Sequence, residues 1–215
     1  MKLYWHKKDN QERLLLIFNG WGCDEKILHT VDAPTHTDVL LISDYTQLSD
    51  AFLKEIIGYE SIDVLAWSFG VFVANRYLDS IPQLNRAIAV AGTTCPISNT
   101  MGIPLNIFEA TLSQYNESVR KRFFKRMFGG ANLLELHKES LPLRSTASQQ
   151  EELAQFKQHA VGCNLPPSPQ WNLVLGGTKD MIFPIESLRT TWGEKLQEIE
   201  AYHYTPFNHL ITHYL

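Results

Sequence analysis

Short apolar runs, each ending at a turn or a polar residue, recur along the chain and alternate with helix-like segments. A nearly continuous apolar run of this length is typical of a strand that is buried on both faces of a parallel sheet. We predict such strands at residues 14–18, 38–42, 62–66, 86–91 and 171–175, and a last strand at 196–202. The pattern therefore indicates a mostly parallel central sheet.

Segments with helical character separate these strands. We predict helices at residues 50–57, 71–78 and 184–193. Pro82 stops the second helix, and Pro184 lies at the first turn of the third, where proline is tolerated. Because strand and helix alternate, the sequence predicts an α/β fold with helices flanking the sheet.

Residues 93–164 break this alternation. The stretch contains no clear strand and has helix-like windows at 106–114, 118–128 and 148–159. We predict that it forms a small helical cap inserted into a single α/β-hydrolase domain that spans residues 1–215. The proline-rich segment 165–169 is the expected rigid return from the cap to the sheet.

A candidate nucleophile, Ser68, lies between the end of a predicted strand and the start of a helix, in the segment 66–70, AWSFG. The nucleophile elbow of α/β-hydrolases has the pattern G-x-S-x-G at this place, because small flanking residues let strand and helix approach closely. Ala66 replaces the first glycine and keeps that position small. A serine that only caps the helix is the alternative interpretation, and the strand-turn-helix context favours the nucleophile.

Segment 18–22, FNGWG, directly follows the first predicted strand. In α/β-hydrolases a loop at this place supplies one backbone N–H to the oxyanion of the tetrahedral intermediate, and the residue after the nucleophile supplies the other. We therefore predict Trp21 and Phe69 as the oxyanion donors. An ordinary glycine turn is the alternative.

Asp180 follows the predicted strand 171–175 and precedes a helix that starts with proline, which is where the acid of a catalytic triad belongs. A solvated turn aspartate is the alternative for this residue in isolation. The order Ser, Asp, His along the chain is that of α/β-hydrolases and favours the catalytic role.

Three histidines near the end of the chain compete for the role of base. His203 comes after the last predicted strand and before Thr205 and Pro206, which resemble a helix N-cap followed by a first-turn proline. His209 and His213 are four residues apart within the predicted terminal helix. We favour His203 as the base that takes the proton of Ser68 during attack on an ester or thioester carbonyl, with a covalent acyl-enzyme and no metal or cofactor.

Composition narrows the classes of function. The chain has 215 residues, 44% of them hydrophobic and 20% charged, and a formal net charge of -4, which argues against a nucleic-acid-binding protein. Cys23, Cys95 and Cys163 have neither disulfide-framework nor metal-site spacing. The polar first ten residues and the lack of a long apolar run predict a cytoplasmic protein without a membrane segment.

The sequence resembles the BioG type of pimeloyl-acyl-carrier-protein methyl ester esterase, a small α/β-hydrolase family of biotin synthesis. The likeness extends over most of the chain and is most specific at residues 18–24 (FNGWGCD), 66–70 (AWSFG) and 203–207 (HYTPF). BioH esterases are similar at Gly20 to Gly22, at Trp67 and Ser68, and in a terminal His-x-Pro-Phe pattern that has one residue fewer. The resemblance implies cleavage of the methyl ester of pimeloyl-acyl carrier protein (pimeloyl-ACP), with methanol as the other product.

A basic window within the predicted cap suits such a partner. Acyl carrier proteins are acidic and carry a phosphopantetheine phosphate, which basic side chains would attract. The basic residues of this window are Arg120, Lys121, Arg122, Lys125 and Arg126. A solvated helix face is the alternative. Aromatic residues of the same region, which are either acyl-tunnel or plain core residues, are Phe108, Phe123, Phe124 and Phe128.

Two other functions remain open at the level of sequence. The first is an esterase or acyl-thioesterase with a different substrate, because fold does not fix substrate. The second is a non-catalytic binding protein in which the cap binds a partner and Ser68 is idle. The ordered set of Ser68, Asp180 and His203 disfavours the second.

Overall fold

The computed structural model describes residues 1–215 and contains a seven-stranded sheet. The strands are β1 Lys2–Lys7, β2 Arg13–Phe18, β3 Thr37–Ser43, β4 Ser61–Trp67, β5 Leu84–Val90, β6 Leu173–Gly177 and β7 Leu196–Ile199. Their order across the sheet is β1-β3-β2-β4-β5-β6-β7, and every pair is parallel except β1 with β3. This mostly parallel sheet confirms the predicted fold class.

The sheet is buried on both faces, which explains why its strands are apolar at consecutive positions. Along β2, Leu14, Leu16 and Phe18 belong to one core cluster, and Leu15 and Ile17 to the other. Successive side chains of a strand point to opposite faces, so the two clusters lie on the two sides of the sheet.

The sequence missed β1. Its residues are exposed or half-buried because the strand lies at the edge of the sheet, paired antiparallel with β3. An edge strand with one pairing neighbour needs no continuous apolar run, so this segment lacks the signal that identified the others. The last strand is also shorter than predicted, since β7 ends at Ile199 rather than at residue 202.

Helices cover both faces of the sheet. Outside the cap region they are α1 Phe52–Glu55, α2 Phe69–Asn75, α7 Ile185–Trp192 and α8 Phe207–Tyr214. The prediction that Thr205 caps the terminal helix was wrong by one residue, because Pro206 is the N-cap. Its ψ of 130° is extended rather than helical, so α8 begins at Phe207. No helix in the structure has the length and apolarity that crossing a membrane requires.

Between β5 and β6 the chain forms four helices, α3 Leu105–Ser113, α4 Glu117–Met127, α5 Ala131–Leu136 and α6 Thr146–Ala160. The sequence predicted three of them and missed the short α5. The ends of this region meet at Ile97, which forms isolated bridges with Ile103 and Val161. We interpret residues 93–164 as the cap, and α6 contacts the loops that follow β2 and β3.

Candidate active site

Ser68 lies at a sharp turn between β4 and α2. Its φ of 58° and ψ of -127° are rarely adopted by a residue with a side chain. The turn directs the chain from a buried strand straight into a helix whose first N–H groups have no partner within that helix. This is the local geometry of a nucleophile elbow.

Close backbone approaches require small residues around this turn. A Cβ on Gly70 would lie 2.3 Å from the carbonyl oxygen of Phe18, and a Cβ on Gly92 would lie 2.2 Å from that of Ser68. Ala66 is fully buried and pairs with Phe18 and Ala89 in neighbouring strands, so a methyl group fits at this position. Gly92 is not among the residues predicted from the sequence, although its place directly after the predicted strand 86–91 was a usable signal.

Ser68, His203 and Asp180 form one chain of hydrogen-bonded side chains. Ser68 Oγ lies 3.0 Å from His203 Nε2, and His203 Nδ1 lies 2.8 Å from Asp180 Oδ2. The other carboxylate oxygen, Oδ1, accepts from the backbone N–H groups of Ile182 at 2.7 Å and Phe183 at 3.0 Å. The histidine and aspartate side chains are each only 1% exposed. The carboxylate is therefore fixed in place and can orient the imidazole.

His209 does not take part in this arrangement. It lies on the exposed face of α8, with its ring 4.1 Å from that of His213. The fold thus brings His203, and not His209, to Ser68, although one extra residue separates it from Pro206 relative to the BioH pattern.

Two aromatic side chains hold His203 in place. Trp67 Nε1 donates a hydrogen bond to the His203 carbonyl oxygen at 2.9 Å. The ring of Phe183 stacks on the imidazole, with centroids 5.8 Å apart and planes inclined by 10°. Neither role has a signal in the sequence, because each depends on a contact between distant parts of the chain.

The loop after β2 lies so close to Ser68 that a Cβ on Gly20 would be 3.3 Å from the Ser68 Cβ. Asn19 Oδ1 accepts from the Gly20 N–H at 2.9 Å, and the Trp21 indole donates to the Gln149 carbonyl at 2.9 Å. The Trp21 backbone N–H donates to no group of the chain. Phe69 is the first residue of α2, so its N–H has no partner within the helix. Both predicted donors are thus available to an oxyanion.

A mostly apolar cavity of about 540 Å³, including its open mouth, reaches Ser68. It lies between the sheet loops and the cap, and Arg126 is its one charged lining residue. The other lining residues are Trp21, Phe69, Ile103, Ile107, Phe108, Thr111, Phe123, Leu153, Met181 and Ile182. Phe108 and Phe123 therefore line the cavity, whereas Phe124 and Phe128 belong to the core on the other side of the sheet.

Beyond the mouth the cavity continues into a second depression. The two share Ile107, Thr111, Phe123 and Arg126, and Arg122 also lines the outer one. Of the five predicted basic residues, Arg126 and Arg122 thus line these depressions, and the other three do not.

Arg120 belongs to the cap interior rather than to the mouth. It donates to the Pro142 carbonyl at 2.9 Å and pairs with Glu117 at 3.4 Å. Lys121 and Lys125 are exposed on α4.

Burial makes the thiols of Cys23 and Cys163 poor nucleophiles. Cys23 lies in the loop after β2 and is fully buried, and burial raises the pKa of its thiol far above the usual range. Burial likewise raises the pKa of Cys163, which lies at the return from the cap, to about 12. Because the thiolate is the reactive form, the raised pKa values disfavour both thiols as nucleophiles at neutral pH.

Residues 1–214 match the family described as pimeloyl-ACP methyl esterase BioG. The chain belongs to the BioG family. A crystal structure of BioG from Haemophilus influenzae superposes with a TM-score of 0.84 at 30% identity, covering 95% of this chain and 94% of that one. An uncharacterized protein of the same organism is 31% identical over 90% of this chain and 89% of its own length.

A protein of Bacteroides fragilis named malonyl-[acyl-carrier protein] O-methyltransferase is 37% identical over 89% of this chain. The match covers 39% of that protein, so this chain spans well under half of its length. MenH from S. aureus shares the fold alone, with a TM-score of 0.61 and 12% identity. The family match supports an esterase function, and the superposed structures share the α/β-hydrolase fold.

Proposed function

We propose that this BioG-family protein is a serine carboxylesterase that removes the methyl group from the methyl ester of pimeloyl-ACP, in the cytoplasm. The observation that carries the proposal is the hydrogen-bonded series Asp180, His203 and Ser68, which meets a largely apolar cavity with an arginine at its mouth. The series supplies the chemistry of ester cleavage, and the cavity supplies a site for an acyl chain.

The reaction follows from the positions of these groups. His203 Nε2 takes the Ser68 proton as Oγ attacks the ester carbonyl, and Asp180 stabilises the imidazolium. The N–H groups of Trp21 and Phe69 stabilise the oxyanion. Collapse breaks the bond to the methoxy oxygen, which takes the proton from His203 and leaves as methanol. Water, activated by His203, then releases the carboxylate and restores Ser68.

The cavity favours an orientation in which the ester end enters first. The methylene chain would occupy the apolar space, which Phe108, Phe123 and Leu153 line. The thioester and the phosphopantetheine arm would then emerge at the mouth, where Arg126 and Arg122 lie. A bulky carrier outside the cavity cannot follow its acyl group inward, so the distal ester reaches Ser68 while the thioester does not.

The Bacteroides fragilis relative supports a carrier-linked methyl ester as substrate. Its name describes methyl transfer to an acyl group on a carrier protein. A methyl ester formed in that way is the type of bond that this esterase would cleave. The similarity therefore links the esterase to the same class of carrier-bound substrate.

The direct test is incubation of methyl pimeloyl-ACP with the protein, followed by mass spectrometry of the intact carrier. We expect loss of one methyl group with the thioester retained, and much slower hydrolysis of the free methyl ester. Release of the acyl group from the carrier would instead identify a thioesterase. Equal rates on carrier-linked and free esters would contradict a role for the carrier.

Replacing the arginines at the mouth tests how the carrier is recognised. A charge-assisted contact to phosphate contributes about 1.5 kcal/mol, so Arg126→Ala and Arg122→Ala should each raise KM for methyl pimeloyl-ACP about tenfold. The KM for a short p-nitrophenyl ester should change little, and added salt should reduce the difference between variant and wild type.

Arg76→Ala is the matched control, because Arg76 is exposed at the end of α2 and does not line either depression. It should leave both KM values unchanged. If the mouth variants behave like this control, the carrier does not dock at the mouth and the basic window is a solvated helix face.

A further inference from the structure

The cap helix α6 is bonded through buried polar groups to the loop after β2. We call this loop, residues 19–24, the oxyanion loop, because it carries the Trp21 N–H. The Gly22 N–H donates to Glu152 Oε2 at 3.1 Å, and Gln149 Nε2 donates to the Gly22 carbonyl at 2.7 Å. The Gln149 carbonyl accepts from the Trp21 indole at 2.9 Å. Three bonds from one helix thus hold the two residues that follow Gly20.

Glu152 is the centre of this contact. The carboxylate is completely buried, and its second oxygen accepts from the Tyr45 N–H at 2.8 Å. Arg144 pairs with it at 2.6 Å, with a side chain that is 8% exposed. A buried carboxylate costs free energy unless its oxygens are fully bonded, and here the donors come from the loops after β2 and β3 and from Arg144.

These bonds restrict the position of Trp21 on both sides of its backbone N–H. The indole and both polar groups of Gly22 are occupied by α6, whereas the Trp21 N–H is left free. Trp21 is therefore held in two places, through its indole ring and through the backbone of the next residue, Gly22. Oxyanion donors are effective only when they are held in advance at the position where charge develops.

We propose that Glu152, assisted by Gln149, is a positioning residue that aligns the Trp21 N–H with the oxyanion. The inference rests on the proposed function, in which that N–H is an oxyanion donor. It assigns the cap a second task besides covering the acyl chain. Because α6 carries these bonds, any opening of the cap that keeps the oxyanion hole intact must occur in α3 to α5.

The test compares Glu152→Gln with Glu151→Gln on a short p-nitrophenyl ester. Glu151 is the exposed neighbour on the same helix, so its variant is a matched control that should retain wild-type kinetics. In Glu152→Gln an amide NH₂ replaces one of the two carboxylate oxygens. It then faces a group that donates to that oxygen in the wild type, either a backbone N–H or Arg144. Misalignment of the loop should lower kcat about 10- to 100-fold and leave KM within about twofold.

Rates are normalised to the fraction of protein that a fluorophosphonate labels at Ser68, so that partial unfolding is not counted as lost catalysis. A second readout uses a pair of inhibitors. An alkyl trifluoromethyl ketone forms an oxyanion on Ser68, and the matching methyl ketone binds largely without addition. Glu152→Gln should weaken binding of the trifluoromethyl ketone by the same factor as it lowers kcat. Binding of the methyl ketone should be unchanged.

Gln149→Met is the second variant, for use if Glu152→Gln does not fold. It keeps side-chain volume but removes the donor to the Gly22 carbonyl, and it should produce the same pattern with a smaller factor. Wild-type kcat and wild-type ketone affinities in a folded variant would overturn the inference.

Failure of the proposed function gives a different result. If Ser68→Ala keeps the esterase activity, the nucleophile is wrong. If only methyl pimeloyl-ACP is not hydrolysed, the substrate is wrong, and the result for Glu152 on the short ester stands.

Discussion

Ser68→Ala is expected to lower kcat for ester hydrolysis by about 10⁴- to 10⁶-fold, because removal of the nucleophile leaves only the oxyanion hole and substrate binding. The variant should fold like the wild type, since the change deletes one oxygen and retains a Cβ at a backbone position that already carries one. The same variant should lose all labelling by a fluorophosphonate. Initial rates on methyl pimeloyl-ACP and on a short aryl ester, with circular dichroism as the check on folding, measure both effects.

Ser187→Ala is the matched control for this variant. Ser187 is also a buried serine, but its hydroxyl donates to the Gly102 carbonyl and does not line the cavity. It should keep wild-type kcat. If Ser68→Ala remains active while folded, Ser68 is not the nucleophile, and a different group attacks the carbonyl.

His203→Ala is expected to reduce kcat by about 10⁴-fold or more, because Ser68 then has no base to accept its proton. His203 Nε2 is the ring nitrogen 3.0 Å from Ser68 Oγ, and Asp180 orients the ring from the other side. Labelling by the fluorophosphonate should slow by a similar factor, since it requires the same activated hydroxyl. Stopped-flow or steady-state rates together with the labelling rate constant provide the measurement.

His209→Ala serves as the comparison and should be indistinguishable from wild type in both assays. It removes an imidazole from the exposed face of α8, a helix that contributes no residue to the cavity lining. A histidine assignment based on the structure fails if His209→Ala alone abolishes turnover while His203→Ala retains it.

Local sequence signals located the main elements of the site. Three of the predicted apolar runs correspond to β2, β4 and β6. The oxyanion loop follows β2, Ser68 follows β4, and Asp180 lies shortly after β6. Parallel strands bring their carboxyl ends to one edge of a sheet, so the order of these runs was enough to predict that the three would meet. His203 followed from its place after the last strand, although β7 ends earlier than expected.

Signals that depend on contacts between distant residues were not available in the sequence. Glu152 is a glutamate within a helical segment, which typically indicates a solvated face, yet it is fully buried against residues more than a hundred positions away. Phe124 and Phe128 looked equivalent to Phe123 on a helix, but packing placed them in the core instead of the cavity.

The sequence by itself determined the alternation of strand and helix, the elbow and the order of Ser68, Asp180 and His203, because each depends on hydrophobic periodicity or on residues adjacent in the chain. Tertiary structure alone decided which arginines line the two depressions, which phenylalanines line the cavity and which residues of α6 contact the loop after β2. Those outcomes depend on the distance and direction of side chains from separate elements, and periodicity along a chain carries no information about either.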